Sequence, residues 1–560
     1  MDLVLKRQAA DLGTRLNRLN IQRDLMLRDP GKFQPVLRLS CAIRMLVVTD
    51  GGGSFGGADF GLEEFLSAFD TRPGPGAHFV VTTAHWASDP SADLQNFRFS
   101  GHDLSQYDVI WMFAVSDFGS IDPADVRAVA EFMDSGGGVF ATGDHASLGV
   151  RMCGAIPRVR SMRKWHWPNP GPLGEPVAPS GGGTGRHDTT MDRGVGVVEF
   201  DDQSDDVPQT IRPRMYGAPH LFLGYRRYQY PHPMLCGPNG VIRILPDHGH
   251  EGECYVPADL TATLTQDGYD CEEYPEVNGR RIRPEIIAWS DNQSGIIEKG
   301  AVNDKSFGAI GVLDGHPADR GRVAVDATWH HFFNINLRGE IGNPDPVQAT
   351  GFYASTAGMA HLETIKTYFR NTGVWLARPE THACIRWRAL WHIRWHHRIA
   401  MDLMLLDQPF EKIASLELIR IGRIARDVMG KSAPQCQTLG WLIPLIPVKF
   451  REKLLWPIVP PGPLLPDLDP RDIEKREVDP VSLAVAEATL DALAGAAIYR
   501  IAVQFREADS VAKAEDMSPK AAAKLLSEAA EVALRAVGEV GARMIDMNDD
   551  MKDMVRGLRR

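Results

Sequence analysis

One order of elements recurs between residues 43 and 145, and it leaves few folds open. IRMLVVT at 43–49 is an apolar, β-branched run that ends in DGGGSFGGADF and leads into the helix-like LEEFLSAFD. HFVVTTAH at 78–85 predicts a second strand. YDVIWMFA at 107–114 predicts a third, followed by the helix IDPADVRAVAEFMDSG, and GGVFATGDH at 137–145 predicts a fourth. Strands alternating with helices imply right-handed crossovers and a parallel sheet covered on both faces. The expected fold is therefore α/β, a flavodoxin-like, doubly wound and mostly parallel sheet. Ligands of such sheets bind beyond the carboxyl ends of the strands.

The pattern breaks at residues 154–215, where PNPGPLGEPVAPSGGGTGRHDTT and the acidic DDQSDD are too irregular for regular elements. This reads as a large insertion over the sheet edge or its active face. Strand-like runs resume with VIRIL at 241, EIIAW at 285, FGAIGVL at 307 and RVAVDATW at 322, which closes an α/β domain over 41–340. An amphipathic helix is expected in 1–40. Beyond 340 the apolar residues fall at three-to-four spacing, predicting an all-α C-terminal region. It comprises helices in 341–455, a proline-rich linker at 456–479 and a helical hairpin at 480–560 whose small side chains suit close packing or homo-oligomer formation.

Across 560 residues, 44% hydrophobic and 24% charged composition is that of a globular protein. A net charge of -11 argues against a nucleic-acid coat. The seven cysteines are scattered, without C-x-x-C pairing, and the first residues lack the features of a secretory signal. The longest greasy run noted, LGWLIPLIPV at 439–448, falls short of a membrane span. A cytoplasmic, reducing setting with no membrane span is expected.

Polar clusters follow the apolar runs. Asp50 with Gly51, Gly52 and Gly53 follows the first strand, Asp144 and His145 the fourth, Asp247, His248, His250 and Glu251 the VIRIL run, and His330 and His331 the last. If all open on one edge, they offer the acid, base and orienting groups that hydrolysis requires. Asp144, His145, His250, Glu251 and His330 are then the catalytic candidates. Asp50, the three glycines and His331 are candidates for binding a small-molecule substrate. In an extended segment His248 and His250 share a face, so with Asp247 they could hold a divalent zinc, manganese or iron. Metal-free acid and base chemistry and a purely structural rim remain open beside it. DGGGSFGG fits a tight turn or a phosphate cradle but matches neither nucleotide fingerprint. The tryptophan stripe Trp387, Trp391 and Trp395, flanked by arginines, fits a seam docked on the sheet domain, with nucleic acid or a membrane surface as rivals.

The order of glycine turn, GDH at a strand-to-helix turn, insertion and GRVAVDATWHHFF resembles the glutamine-amidotransferase-like superfamily, and within it the ThuA-like branch. The resemblance covers roughly residues 41–340. It implies a flavodoxin-like fold and, through the ThuA-like branch, a link to sugar utilisation. Class I amidotransferases carry a cysteine nucleophile at the elbow after the fourth strand, where this chain has Asp144 and His145, and Cys153 lies eight residues beyond His145. The resemblance therefore implies an activity other than Cys-dependent amidotransfer. The function expected is that of a hydrolase-like enzyme acting on a small polar substrate, with a non-catalytic binding scaffold as the alternative.

Overall fold

Along the third strand, Val109, Trp111 and Phe113 enter one hydrophobic cluster while Ile110, Met112 and Ala114 enter another. Side chains alternate across a strand, so two separate cores mean a sheet covered on both faces, and such strands must be apolar throughout. The structure is a computed structural model. It describes residues 41–70, 77–116, 119–144, 148–163, 208–216, 230–238, 240–246, 252–277, 279–292, 305–344, 349–406, 408–432, 435–455, 458, 480–505 and 517–558. The helix expected in 1–40, the linker at 459–479, most of the insertion, and His145, Asp247, His248, His250 and Glu251 lie outside the described residues.

The main sheet has eight strands: β1 (Cys41–Thr49), β2 (Ala77–His85), β3 (Val109–Phe113), β4 (Gly138–Thr142), β5 (Arg212–Pro213), β6 (Glu285–Asn292), β7 (Lys305–Leu313) and β8 (Val323–Asp326). Their order across the sheet is β2-β1-β3-β4-β8-β7-β6-β5. The β2, β1, β3, β4 and β8 strands run parallel, and the remaining three pair antiparallel at one side. This is the flavodoxin-like α/β sheet, followed by an all-α C-terminal region. VIRIL does not join it. Gly240–Val241 and Ile244–Pro246 instead form short antiparallel pairs with Cys236–Gly237 and Pro208–Thr210.

Helices α1 (Glu63–Ser67), α2 (Pro123–Asp134), α3 (Val150–Cys153), α4 (Asn334–Arg338) and α5 (Thr356–Leu376) surround the sheet. One face carries an aromatic core in which Phe65 meets Phe69, Trp111, Phe113, Phe332 and Phe369 at ring separations of 5.0 to 5.8 Å. Leu362, Ile365, Tyr368, Phe369 and Leu376 of α5 belong to that core, so this helix completes the sheet layer although it lies past residue 340. Gly138 makes the close approach possible, because a Cβ there would stand 2.1 Å from the Leu376 carbonyl.

Next come α6 (Pro379–Arg394), α7 (His397–Leu405), α8 (Ser415–Ser432), α9 (Gln435–Leu442), α10 (Val448–Leu455), α11 (Pro480–Gln504) and α12 (Pro519–Leu558). The start of α6 is fastened to the amino edge of the sheet. Arg378 donates to the carbonyls of Tyr107 and Ser135, Thr381 to Asp108, and a disulfide joins Cys384 to Cys41 across 343 residues. Such bridges persist in oxidising surroundings and pull against the reducing setting inferred from scattered cysteines.

Further along α6, Trp387 and Trp391 are buried in the helical core, 5.7 and 5.2 Å from Phe505. The seam therefore docks on the helical region rather than on the sheet. Among the described residues the helix long and apolar enough to match a membrane span is Ser482–Gln504, not 439–448. Its length and composition would suit a membrane span, yet two-thirds of it is buried against its neighbours. It crosses α8 with the backbones almost touching, since a Cβ on Gly422 would stand 1.6 Å from the Asp491 carbonyl and one on Gly495 1.9 Å from that of Leu418. Overpacking of such a contact costs about 1–3 kcal/mol. Gly495→Val should lower the denaturation midpoint accordingly, by chemical unfolding, while the exposed Gly538→Ala leaves it unchanged or raised.

Candidate functional site

Parallel strands end together, so β1, β2, β4 and β8 deliver Asp50, His85, Asp144 and the Thr328–His331 turn to one edge. The turn after β8 is ordered from within. Thr328 Oγ1 caps it by accepting the His330 N–H at 3.0 Å, and the Trp329 N–H donates to the Gly143 carbonyl at 2.9 Å. His330 is thereby brought beside the segment carrying Asp144.

The His330 ring stacks on Trp329 with centroids 3.7 Å apart. Its Nδ1 lies 2.6 Å from Asn336 Oδ1 on α4, and its Nε2 lies 3.7 Å from Asp144 Oδ2. An amide oxygen only accepts, so Nδ1 carries a proton and Nε2 faces the carboxylate. Their 3.7 Å separation stands beyond direct hydrogen-bond length. A proton, or a donor hydroxyl between them, would bind both. His330 and Asp144 are 4% and 1% exposed, which shields them from bulk water.

Arg163 fixes this arrangement from behind. Fully buried, it donates to the carbonyls of Asp326 (3.1 Å), Ala327 (2.6 Å) and Asp144 (2.7 Å). Gly252, whose N–H donates to Ala327 O at 3.1 Å, has no room for a side chain because a Cβ would meet Arg163 Nη2 at 2.2 Å. On the other flank, Ile244–Pro246 packs against Trp329–His331. The chain thus enters and leaves segment 247–251 beside the His330 turn, although those five residues lie outside the described ones.

Asp50 occupies the neighbouring part of the edge. Its carboxylate accepts from the N–H groups of Val115 and Ser116, and Ser116 O accepts from Gly149 N, linking β1 through β3 to the turn after β4. Burial raises the Asp50 pKa, opposed by those N–H groups, by that of Gly52 and by the charge of Arg151. The glycines make a tight turn. Gly51 has φ +110°, and Cβ atoms on Gly52 and Gly53 would meet Val115 at 2.6 Å and Phe333 at 2.9 Å. His85 closes the turn from β2, with Nε2 3.2 Å from Gly53 O.

His331 points away from this edge. Its fully buried ring faces Asp326, with Nδ1 2.8 Å from Oδ1, and Tyr368 donates to the other carboxylate oxygen at 3.0 Å. A substrate-binding role does not suit that place. Cys153, at the end of α3, is fully buried, and burial pushes its thiol well above the ordinary range. Among the described residues no group of three or more His, Cys, Asp or Glu side chains could hold a metal ion, and the candidate metal set lies outside them.

His85, Arg163 and Asn336 escaped the sequence reading. Only Asn336 leaves a trace, six residues after His330 at a helix start. No protein-family model matches the chain, and no curated protein is significantly similar. A crystal structure described as that of a ThuA-like protein from Parabacteroides merdae is 13% identical, with a TM-score of 0.25, and the similarity covers 60% of this chain and 90% of that one. A likeness of that depth carries nothing about substrate or residues.

The raised pKa of Asp50 fixes a pH dependence. The fold favours its neutral form, so its contribution is full below the unfolded value near 3.8 and is lost as pH rises through the folded value. The stability difference between the parent and Asp50→Asn should therefore move against the parent as pH rises above about 4. The amide's fixed effect does not vary with pH, so denaturant melts across that range isolate the term.

Proposed function

We propose that the chain is a hydrolase-like enzyme in which His330 moves a proton to or from a small polar substrate at the carboxyl edge of the sheet. The single observation behind this is an imidazole with one nitrogen held by Asn336 and the other aimed at the Asp144 carboxylate. Nucleophile, base and orienting group in line is the arrangement of acid–base catalysis. His330 Nε2 would take the proton of a water or substrate hydroxyl, Asp144 would orient that hydroxyl, and Asn336 would hold the tautomer. His250 and Glu251, from the segment flanked by this turn, would add an acid and its orienting partner. A divalent ion on Asp247, His248 and His250 is the metal-assisted form of the same reading. The chemistry needs no thiolate. A carbohydrate is the substrate class the family resemblance suggests.

A ligand-binding scaffold is the second reading, and the observation favouring it is the near-complete burial of Asp144 and His330. A hydrolase screen with chromogenic esters and glycosides separates the two. For a substrate that turns over, His330→Gln should lower kcat/KM by about 10²–10⁴, and Asn336→Leu should lower it less while changing the imidazole tautomer seen by ¹⁵N NMR. Binding of a screened ligand with no turnover, unchanged in His330→Gln, would favour the scaffold. Elemental analysis, with activity before and after chelation, decides whether an ion takes part.

A further inference from the structure

The strand order β2-β1-β3-β4-β8 reverses between β1 and β3, because the chain passes from β1 to β2 on one side and returns to β3 on the other. In a doubly wound sheet that switch point opens a crevice beyond the carboxyl ends of the two strands. Here Asp50 lies after β1, bound by the N–H groups of Val115 and Ser116 after β3, and Trp86 follows β2 with its N–H on Thr49 O. Asp144 and the His330 turn stand at β4 and β8, two strand spacings away, which is on the order of 10 Å.

Arg151 overhangs this crevice. Its helix, α3, starts hard against the ends of β3 and β4, since a Cβ on Gly149 would stand 2.7 Å from Gly143 Cα and 2.9 Å from the Ala114 carbonyl. The side chain passes Gly119, whose added Cβ would lie 3.7 Å from Arg151 Nε, and holds its guanidinium carbon 5.7 Å from the centre of the Trp86 ring. Trp86 is buried, so that ring is a fixed wall. Arg98 lies over the same ring at 5.6 Å, but its Nη1 is tied to the carbonyls of Trp86 and Phe97. Arg151 differs. It is half-buried, feels the Asp50 charge from a distance, and makes no hydrogen bond or ion pair among the described residues. A contact with an aromatic face positions a guanidinium and leaves its N–H fork open.

We infer that Arg151 selects the substrate, pairing with a carboxylate carried on the order of 10 Å from the bond at which His330 acts. This rests on the reaction proposed above and adds the chemical class acted upon, an acidic small molecule whose charged end lies at β1 and β3. One open guanidinium balances one negative charge, and its fork matches a planar carboxylate through two parallel bonds. A phosphate dianion would ask for a second open cation, and Arg98 is already held by backbone. Burial raises the Asp50 pKa, which lessens its repulsion of an incoming anion.

Two measurements on the whole chain test the assignment. The first compares nitrophenyl esters of straight-chain diacids bearing one free carboxylate with the same esters methylated at that end. The parent should prefer the free carboxylate by about tenfold or more in kcat/KM, chiefly through KM, and Arg151→Gln should remove the preference. The second follows thermal melts at matched ionic strength with suberate, its dimethyl ester or inorganic phosphate. Suberate alone should raise Tm saturably in the parent, and Arg151→Gln should lose that response. Arg151→Lys keeps the charge but not the fork; it should weaken both effects and serves if the glutamine variant fails to fold. The site is overturned by effects that survive undiminished in these variants, by equal rates on free and capped esters, by a stronger response to phosphate, or by no response to suberate where nothing turns over. The reaction fails separately: an Arg151-dependent suberate response without turnover of any ester or glycoside leaves the carboxylate site standing and removes the proton transfer.

Discussion

The arrangement at the carboxyl edge depends on one buried guanidinium. Arg163 reaches the carbonyls of Asp144, Asp326 and Ala327, and so ties together the ends of β4 and β8, itself lying 163 residues from Asp326 in the chain. A charge so deeply placed is tolerable only when its donors are satisfied, and three backbone oxygens take up part of that demand here. Burial lowers the Arg163 pKa, and the nearby Asp144 and Asp326 oppose that shift. The result is a fixed distance between Asp144 and the His330 turn. The clamp adds to the β4–β8 pairing and to the Trp329 N–H bond to Gly143 O, which already bring the two ends side by side.

The same economy shapes the two sides of the molecule. At the carboxyl edge, polar side chains turn inward and bind backbone: Asp50 to Ser116, Asn334 to the carbonyls of Gly56 and Ala58, Thr328 to His330. Each contact fixes a loop that would otherwise wander. At the amino edge, Arg378, Thr381 and the Cys41–Cys384 bridge fasten the helical region to the strands it follows. Helices α8 and α11 then pack backbone to backbone through Gly422 and Gly495, an approach open only to residues without a side chain.

Part of the site was legible in the sequence for a simple reason. A continuous apolar run followed by a polar residue announces a strand's carboxyl end, so Asp50, Asp144 and His330 could be placed on one edge from chain order alone. The antiparallel strands β6 and β7 were legible as strands but not in direction. VIRIL was misread as a sheet strand because a short apolar run looks alike in a sheet and in a small hairpin. The inward turn of His331, next to His330, was not legible because periodicity says nothing of which way a ring turns at a strand's end.

What the sequence by itself determined is the alternation of strand and helix, the apolar strands buried on both faces, and the helical code beyond residue 340, all set by local propensity and pattern. Only the tertiary structure decided that Arg163 and Asn336 flank the His330 turn, that His331 turns inward and that Cys41 meets Cys384. These are contacts between residues far apart in the chain. Their partners are chosen by packing and by the need to satisfy buried polar groups, and neither constraint is written in the neighbours of any one residue.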